Sequence, residues 1–251
     1  MRGLLSKLGF GAALEDVPQL VETKSPDVSG AELAVAYFSG RSGGDFYEFV
    51  RVAPHRLLFG LLDVAGKRND GRPILTAAQA TFRESGCELL SSLELNEAEA
   101  MVELSRRLNL TIMRAAGGVR SCAAFAACYN EDLGTVCYVN AGHTPGLLCD
   151  HHSVEELPAT GLPLGLFSLA PTDARTVGLG PESCLTIVSR GVVEAQRKDE
   201  EFGLDGVKHV LKANPPSATD VSRGILEQVQ TFMCAYPKHN DVTALSLRRA
   251  N

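Results

Sequence analysis

One hexapeptide constrains the fold more than any other part of this chain: Leu57-Leu58-Phe59-Gly60-Leu61-Leu62, an unbroken apolar run that ends in Asp63. A strand with one wet face alternates apolar and polar residues, so a run with no polar member needs cover on both sides. The chain must therefore build a layer above this strand and another below it. Asp63 is then the first charge where the strand leaves the interior.

The neighbouring elements fit such a layered arrangement. Leu75, Ala78, Phe82 and Leu89 recur at helical spacing. Asn96, with Glu99 three residues on, predicts the start of a second helix presenting Met101, Leu104, Leu108, Ile112 and Ala115 on one face. Ala123–Tyr129 and Thr135–Val139 flank a turn-rich Asn130–Gly134, which is a hairpin signature. Leu147-Leu148-Cys149 predicts a further strand. Cys184-Leu185-Thr186-Ile187-Val188 predicts a buried strand that ends at Gly191. A third helix is expected over 218–233 through Val221, Ile225, Val229 and Phe232, and a last strand over Val242–Leu247. Strands in antiparallel runs with two helices together in the middle argue an α+β fold rather than a doubly wound parallel sheet. Residues 1–30, with Pro18, Pro26 and Gly30, read as a lead-in, and 31–251 as one domain. The first ten residues are faintly amphipathic but broken by Ser6, Lys7 and Gly9, so a short surface helix or frayed end is expected there rather than a signal peptide.

The net charge of −6 gives no basis for nucleic acid as a partner, and no apolar run approaches the ~20 residues of a membrane helix. The seven cysteines are odd in number and contain no Cys-x-x-Cys pair; Cys122, Cys128, Cys137 and Cys184 sit in apolar strand-like runs. That usage predicts reduced, buried thiols in a cytoplasmic protein. His151 and His152 are adjacent, without partners at metal-binding spacing, and are expected to be exposed.

Five motifs occur in order: Gly43-Gly44-Asp45-Phe46-Tyr47, Leu62-Asp63-Val64-Ala65-Gly66-Lys67, Asn140-Ala141-Gly142-His143-Thr144-Pro145, Gly161-Leu162-Pro163-Leu164-Gly165-Leu166 and Ser189-Arg190-Gly191-Val192-Val193-Glu194-Ala195. Together they resemble the bacterial PPM-type (protein phosphatase 2C-like) serine/threonine phosphatases of the sporulation stage II protein E and sigma-factor-regulator type, over about residues 30–248. The resemblance implies two packed antiparallel β-sheets flanked by α-helices. It implies a Mn²⁺- or Mg²⁺-dependent hydrolase acting on phosphoserine or phosphothreonine in a regulatory protein, often an anti-anti-sigma-factor-like one. Gly43-Gly44-Asp45-Phe46 also brushes against the diguanylate cyclase motif, but Phe46 follows the acid and nothing downstream supports that family.

Such hydrolysis uses two ions about 3.5–4 Å apart to activate water and neutralise phosphoryl oxygens, held by carboxylates, carbonyls and water. By resemblance, Asp63 bridges the ions, the Val64 carbonyl completes one of them, and Asp45 stands beside them as ligand or water-orienting group. The second ion depends on acids at two further positions, which here are Arg190 and Asn240, the latter opening Asn240-Asp241-Val242-Thr243. Four Asp would match two divalent ions. Asp45 and Asp63 supply two charges, and Arg190 cancels one. At an effective dielectric near 20, a unit-charge pair ~4 Å apart is worth about 4 kcal/mol, against about 1.4 kcal/mol per tenfold in affinity. The second ion is therefore expected to be lost, with one weakly held ion at most. Strand alternation turns Asp241 away unless the strand end shifts by one residue.

Two function classes follow. One is a weakened phosphatase. The other is a non-catalytic relative that binds a phosphoprotein or signalling partner through the inherited cleft, with Arg190 either contacting the phosphate bidentately or pairing with Asp63 or Asp45 and locking the site. His143, between Gly142 and Thr144, is expected to anchor its hairpin as a neutral ring satisfying a local carbonyl.

Overall fold

The structure, a computed structural model, describes residues 19–24, 27–39, 45–64, 68–92, 94–116, 121–234 and 241–251. In chain order the strands are β1 (Gln19–Lys24), β2 (Ala31–Ser39), β3 (Asp45–Ala53), β4 (Arg56–Val64), β5 (Cys122–Asn130), β6 (Thr135–Ala141), β7 (Gly146–Cys149), β8 (Val154–Leu157), β9 (Arg175–Gly178), β10 (Cys184–Val188), the two-residue β11 (Gln196–Arg197) and β12 (Glu200–Glu201), and β13 (Thr243–Arg249). The helices are α1 (Arg68–Leu90), α2 (Glu97–Ala116), α3 (Arg190–Val193), α4 (Gly203–Lys212) and α5 (Ala218–Met233). The expected helix or frayed end at residues 1–10 lies outside the described residues.

Two antiparallel sheets form the centre. One runs β1-β2-β13-β10-β7-β8 and the other β3-β4-β5-β6-β9. Strand β4 sits as its composition demands. Leu58, Leu62 and Val64 pack with Ile74, Phe82, Leu104 and Leu108 of α1 and α2, while Leu57, Phe59 and Leu61 face Leu185, Ile187, Leu245 and Leu247 of the other sheet. Gly60 is required by the same crowding, because a Cβ there would lie 2.7 Å from the Phe125 carbonyl oxygen. The outer face of the six-stranded sheet packs on α4 and α5 through Val188, Val207, Ile225 and Val229. The order of layers is helix, sheet, sheet, helix.

Asn96 caps α2, its side-chain oxygen accepting from the amides of Ala98 and Glu99 at 3.1 and 3.3 Å. The buried face of α1 centres on Ile74, Ala78, Phe82 and Leu90, leaving Leu75 and Leu89 half-buried. Three features depart from expectation. The sheet begins inside the lead-in, since Gln19–Lys24 pairs with β2 from Gln19 opposite Ser39 onward. Strand β10 stops at Val188 and the chain turns into α3, so the apolar Val192-Val193 belongs to a helical turn. Helix α4, short and bounded by Gly203, was not anticipated. Among the described residues no helix is long and apolar enough to cross a membrane. All seven cysteines are free, and burial pushes the Cys122 and Cys184 thiols up to about 12.

Candidate functional site

Antiparallel pairing of β3 with β4 sets Asp45 directly across from Asp63. The six-stranded sheet brings its own groups to the same place: Ser189 and Arg190 just after β10, Asp241 just before β13, and Thr243 at its start. The Ser189 amide donates to the Thr243 carbonyl at 2.9 Å, and the Ser189 hydroxyl accepts from the Thr243 amide at 3.0 Å. The contact between sheets is direct, because the Asp45 amide donates to Asp241 Oδ2 at 2.9 Å. Asp241 therefore faces the cluster. Strand alternation does not govern it, since Asp241 and Val242 precede the strand. Asn240, like Ala65, Gly66 and Lys67, lies outside the described residues.

Arg190 reaches across the same seam. Its Nε lies 3.5 Å from Asp63 Oδ2 and 3.8 Å from Glu194 Oε1. Of the two strand-end acids, Arg190 thus pairs with Asp63. Both distances exceed the 2.7–2.9 Å of a charge-assisted hydrogen bond, and the Arg190 side chain is 55% exposed. Burial pushes the Asp63 carboxyl above its ordinary range; Arg190 pulls it back and Asp241 pushes it up.

Asp45 is the unusual group. Its Oδ2 is buried with no hydrogen-bond partner. Burial, then the charges of Asp63 and Asp241, push its carboxyl well above the ordinary range, and the hydroxyls of Ser189 and Thr243 offset only part of this. The protonated form is favoured in the folded protein, so ionising Asp45 costs stability. The folded state gains most from Asp45 below the ordinary carboxylate range and loses that advantage as pH rises through the raised value. Asp45→Asn should therefore raise the melting temperature at neutral pH, with the gain vanishing in acid. Equal melting of variant and wild type at neutral pH would contradict this assignment.

A cleft of about 310 Å³ opens over Asp63, lined also by Ser121, Ala123, Gly142, His143, Thr144, Pro163 and Arg190. Its size is near the lower end for small-ligand sites. Asn140 builds one wall. Fully buried, it accepts from the His143 amide at 2.8 Å and donates to the carbonyls of Thr144 and Leu157 at 3.3 and 3.4 Å. Gly142 has φ +66°, and a Cβ there would meet Pro163 Cγ at 2.5 Å. Pro163 of the 161–166 motif lines the cleft beside Gly142. Leu164 exchanges two backbone hydrogen bonds with Cys122, and Asn109 of α2 accepts from the Gly165 amide at 2.7 Å and donates to the Phe167 carbonyl at 2.8 Å. Asn140 therefore anchors the hairpin, while the His143 ring bonds only to Thr144. Among the pair at 151 and 152, His151 Nε2 meets Glu182 at 2.9 Å.

Among the described residues no group of three or more His, Cys, Asp and Glu is arranged to hold a metal ion. Asp241 is turned onto a backbone amide, and the Arg190 guanidinium stands against Asp63 where a cation would have to approach. These residues do not fit a dinuclear centre. Sequence reasoning did not assign Ser189, Thr243, Asn140 or Asn109 to the site. Only the presence of the first three within the quoted motifs pointed to them.

The profile of the family "Stage II sporulation protein E (SpoIIE)" matches residues 53–250. The chain is 25% identical over 210 residues to the phosphoserine phosphatase RsbP of Bacillus subtilis (strain 168), covering 82% of this chain and 49% of RsbP, so it spans about half the length of that relative. The SiaA-PP2C domain of Pseudomonas aeruginosa superimposes with TM-score 0.71 at 18% identity, over 86% of this chain and 85% of that one. The structure of the RsbU and RsbW domains of Rv1364c from Mycobacterium tuberculosis gives TM-score 0.70 at 20% identity, over 90% of this chain and 62% of that one. Both likenesses show the two-sheet phosphatase fold.

Proposed function

The chain belongs to the stage II sporulation protein E family of PPM-type serine/threonine phosphatases, and from that premise we propose that it recognises a phosphoserine or phosphothreonine side chain of a regulatory protein in the cleft over Asp63, with hydrolysis strongly reduced or lost. The observation that carries the reading is Arg190. It stands at the cleft, more than half exposed, and its ion pairs with Asp63 and Glu194 are too long to be hydrogen bonds. A guanidinium so placed keeps its planar set of N–H donors for a phosphoryl group. It supplies the positive charge that a metal ion would otherwise bring, but a guanidinium cannot ionise a bound water as a metal does. A relative named as a phosphoserine phosphatase supports that side chain as the ligand class. An anti-anti-sigma-factor-like protein is the kind of partner this reading favours, in the cytoplasm. Any Mn²⁺ or Mg²⁺ is limited to one weakly held ion near Asp63, the Val64 carbonyl and Asp241.

Fluorescence anisotropy with a phosphoserine peptide and its unphosphorylated twin tests this reading. The wild type should favour the phosphopeptide by at least about tenfold, because a charge-assisted pair contributes about 1.5–3 kcal/mol. Arg190→Ala should erase that preference. It should shift the melting temperature by no more than about 2–4 °C, since an exposed pair is worth at most about 1 kcal/mol. Phosphopeptide turnover by the wild type in Mn²⁺ at the 1–10³ s⁻¹ typical of enzymes would sink the proposal.

A further inference from the structure

The unpartnered nitrogen of His143 says which phosphoryl species the cleft prefers. Thr144 Oγ1 has one proton, and it points to the Val188 carbonyl at 2.5 Å. The same oxygen lies 3.0 Å from His143 Nδ1, and the Thr144 carbonyl lies 3.2 Å from it. A carbonyl can only accept, and the hydroxyl proton is already committed. Both contacts therefore require the hydrogen to sit on Nδ1. Burial also disfavours the charged ring and pushes its pKa down to about 4. The ring is then neutral, and Nε2 is a bare lone pair, buried and without a partner. An unsatisfied buried acceptor in a residue that lines a cleft is a place for a ligand donor.

We infer that His143 Nε2 and the Arg190 guanidinium act as an acceptor and donor pair, making the cleft selective for a phosphoryl group that carries a P–OH proton. For a phosphoserine side chain, whose second pKa is about 6, that is the monoanion, so its binding should strengthen as pH falls toward that value. Arg190 takes the anionic oxygens and His143 takes the hydroxyl. Inorganic phosphate keeps at least one P–OH at neutral pH. Sulfate, with the same tetrahedral shape, keeps none, and its oxygens would face the lone pair of Nε2. Asp63 is the competing acceptor in the cleft, though it already faces Arg190. The inference rests on the reading of Arg190 as the anion contact, and the two can fail separately.

The test is calorimetric titration of the intact chain with inorganic phosphate and with sulfate at neutral pH. Phosphate should bind about five- to tenfold more tightly, the size of one neutral hydrogen bond gained and one repulsion avoided. His143→Phe should abolish the preference, lowering phosphate affinity and relieving the repulsion on sulfate, whereas Arg190→Ala should weaken both. Equal binding of the two anions by the wild type, or a phosphate preference that survives His143→Phe, would overturn the role of His143 while leaving Arg190 in place. Failure of both anions to bind would overturn both. Nitrogen NMR of the wild type covers the case in which His143→Phe does not fold. The His143 Nε2 resonance should be that of an unprotonated nitrogen and should move on adding phosphate but not sulfate. A protonated Nε2 would overturn the inference.

Discussion

Arg190→Asp combined with Asn240→Asp should raise Mn²⁺ affinity at least about 100-fold and bring with it Mn²⁺-dependent phosphatase activity. Arg190 lies 3.5 Å from Asp63, at the sequence position where the resemblance implies an acid for a second ion. Exchanging its charge for a carboxylate converts a repulsion into an attraction of similar size, nominally about 4 kcal/mol for each unit pair at an effective dielectric near 20. Arg190 is more than half exposed, so solvent removes much of this; about 2–3 kcal/mol surviving gives roughly 100-fold. The acid at position 240 would directly precede Asp241, which is hydrogen-bonded to the Asp45 amide. Arriving cations would also draw the proton from Asp45. Each single reversion leaves the second ion one acid short, so the gain should be strongly non-additive. Asp63→Asn on the double background should remove both metal and turnover. Calorimetry with Mn²⁺ gives the affinity independently of the assay. A double variant that folds normally and gains neither would show that residues 190 and 240 do not belong to a metal site.

The largest loss of stability from a change at the cleft is expected at Asn140. Asn140→Leu keeps the volume but strips the His143 amide and the carbonyls of Thr144 and Leu157 of a partner inside the protein. Each buried polar group left unsatisfied costs about 1–3 kcal/mol. Two of the three bonds are long, so a total near 3 kcal/mol is expected. For a chain of this size that lowers the melting temperature by roughly 6–12 °C. Asn140→Asp keeps the acceptor for the His143 amide and loses only the donors, so it should fall between Leu and wild type. Thermal melts followed by circular dichroism measure both. A loss below about 1 kcal/mol for Asn140→Leu would mean that water or Thr160, whose hydroxyl already bonds the Asn140 amide, takes over its role.

The layers were legible where local pattern and burial agree. The apolar run in β4 announces cover on two sides, the Asn96 cap and the spacing of Met101 to Ile112 give α2, and the polar turn at 130–134 gives the β5–β6 hairpin. What stayed hidden depends on partners distant in the chain. Residues 19–24 show little periodicity, and only pairing with β2 makes them a strand. Val192 and Val193 extend the apolar pattern of β10, so the turn at Ser189, fixed by hydrogen bonds to residues 241 and 243, could not be seen. The same holds in the cluster. Asp63 is recognisable at the end of its strand, but the raised pKa of Asp45 comes from burial and from the charges of Asp63 and Asp241, the latter 196 positions away, against the hydroxyls of Ser189 and Thr243. Alternation does not reach Asp241, which lies two residues before the strand begins at Thr243.

Asp45 and Asp63 ride on one sheet, while Ser189, Arg190, Asp241 and Thr243 ride on the other. The cluster is thus a vernier for the alignment of the two layers. A slide too small to open either greasy interface would change the Asp45–Asp241 and Asp63–Arg190 separations together. A ligand gripping Arg190 while resting on the β4 end braces one layer against the other, and at a hundred times its Kd it would resist that shear with about 2.7 kcal/mol.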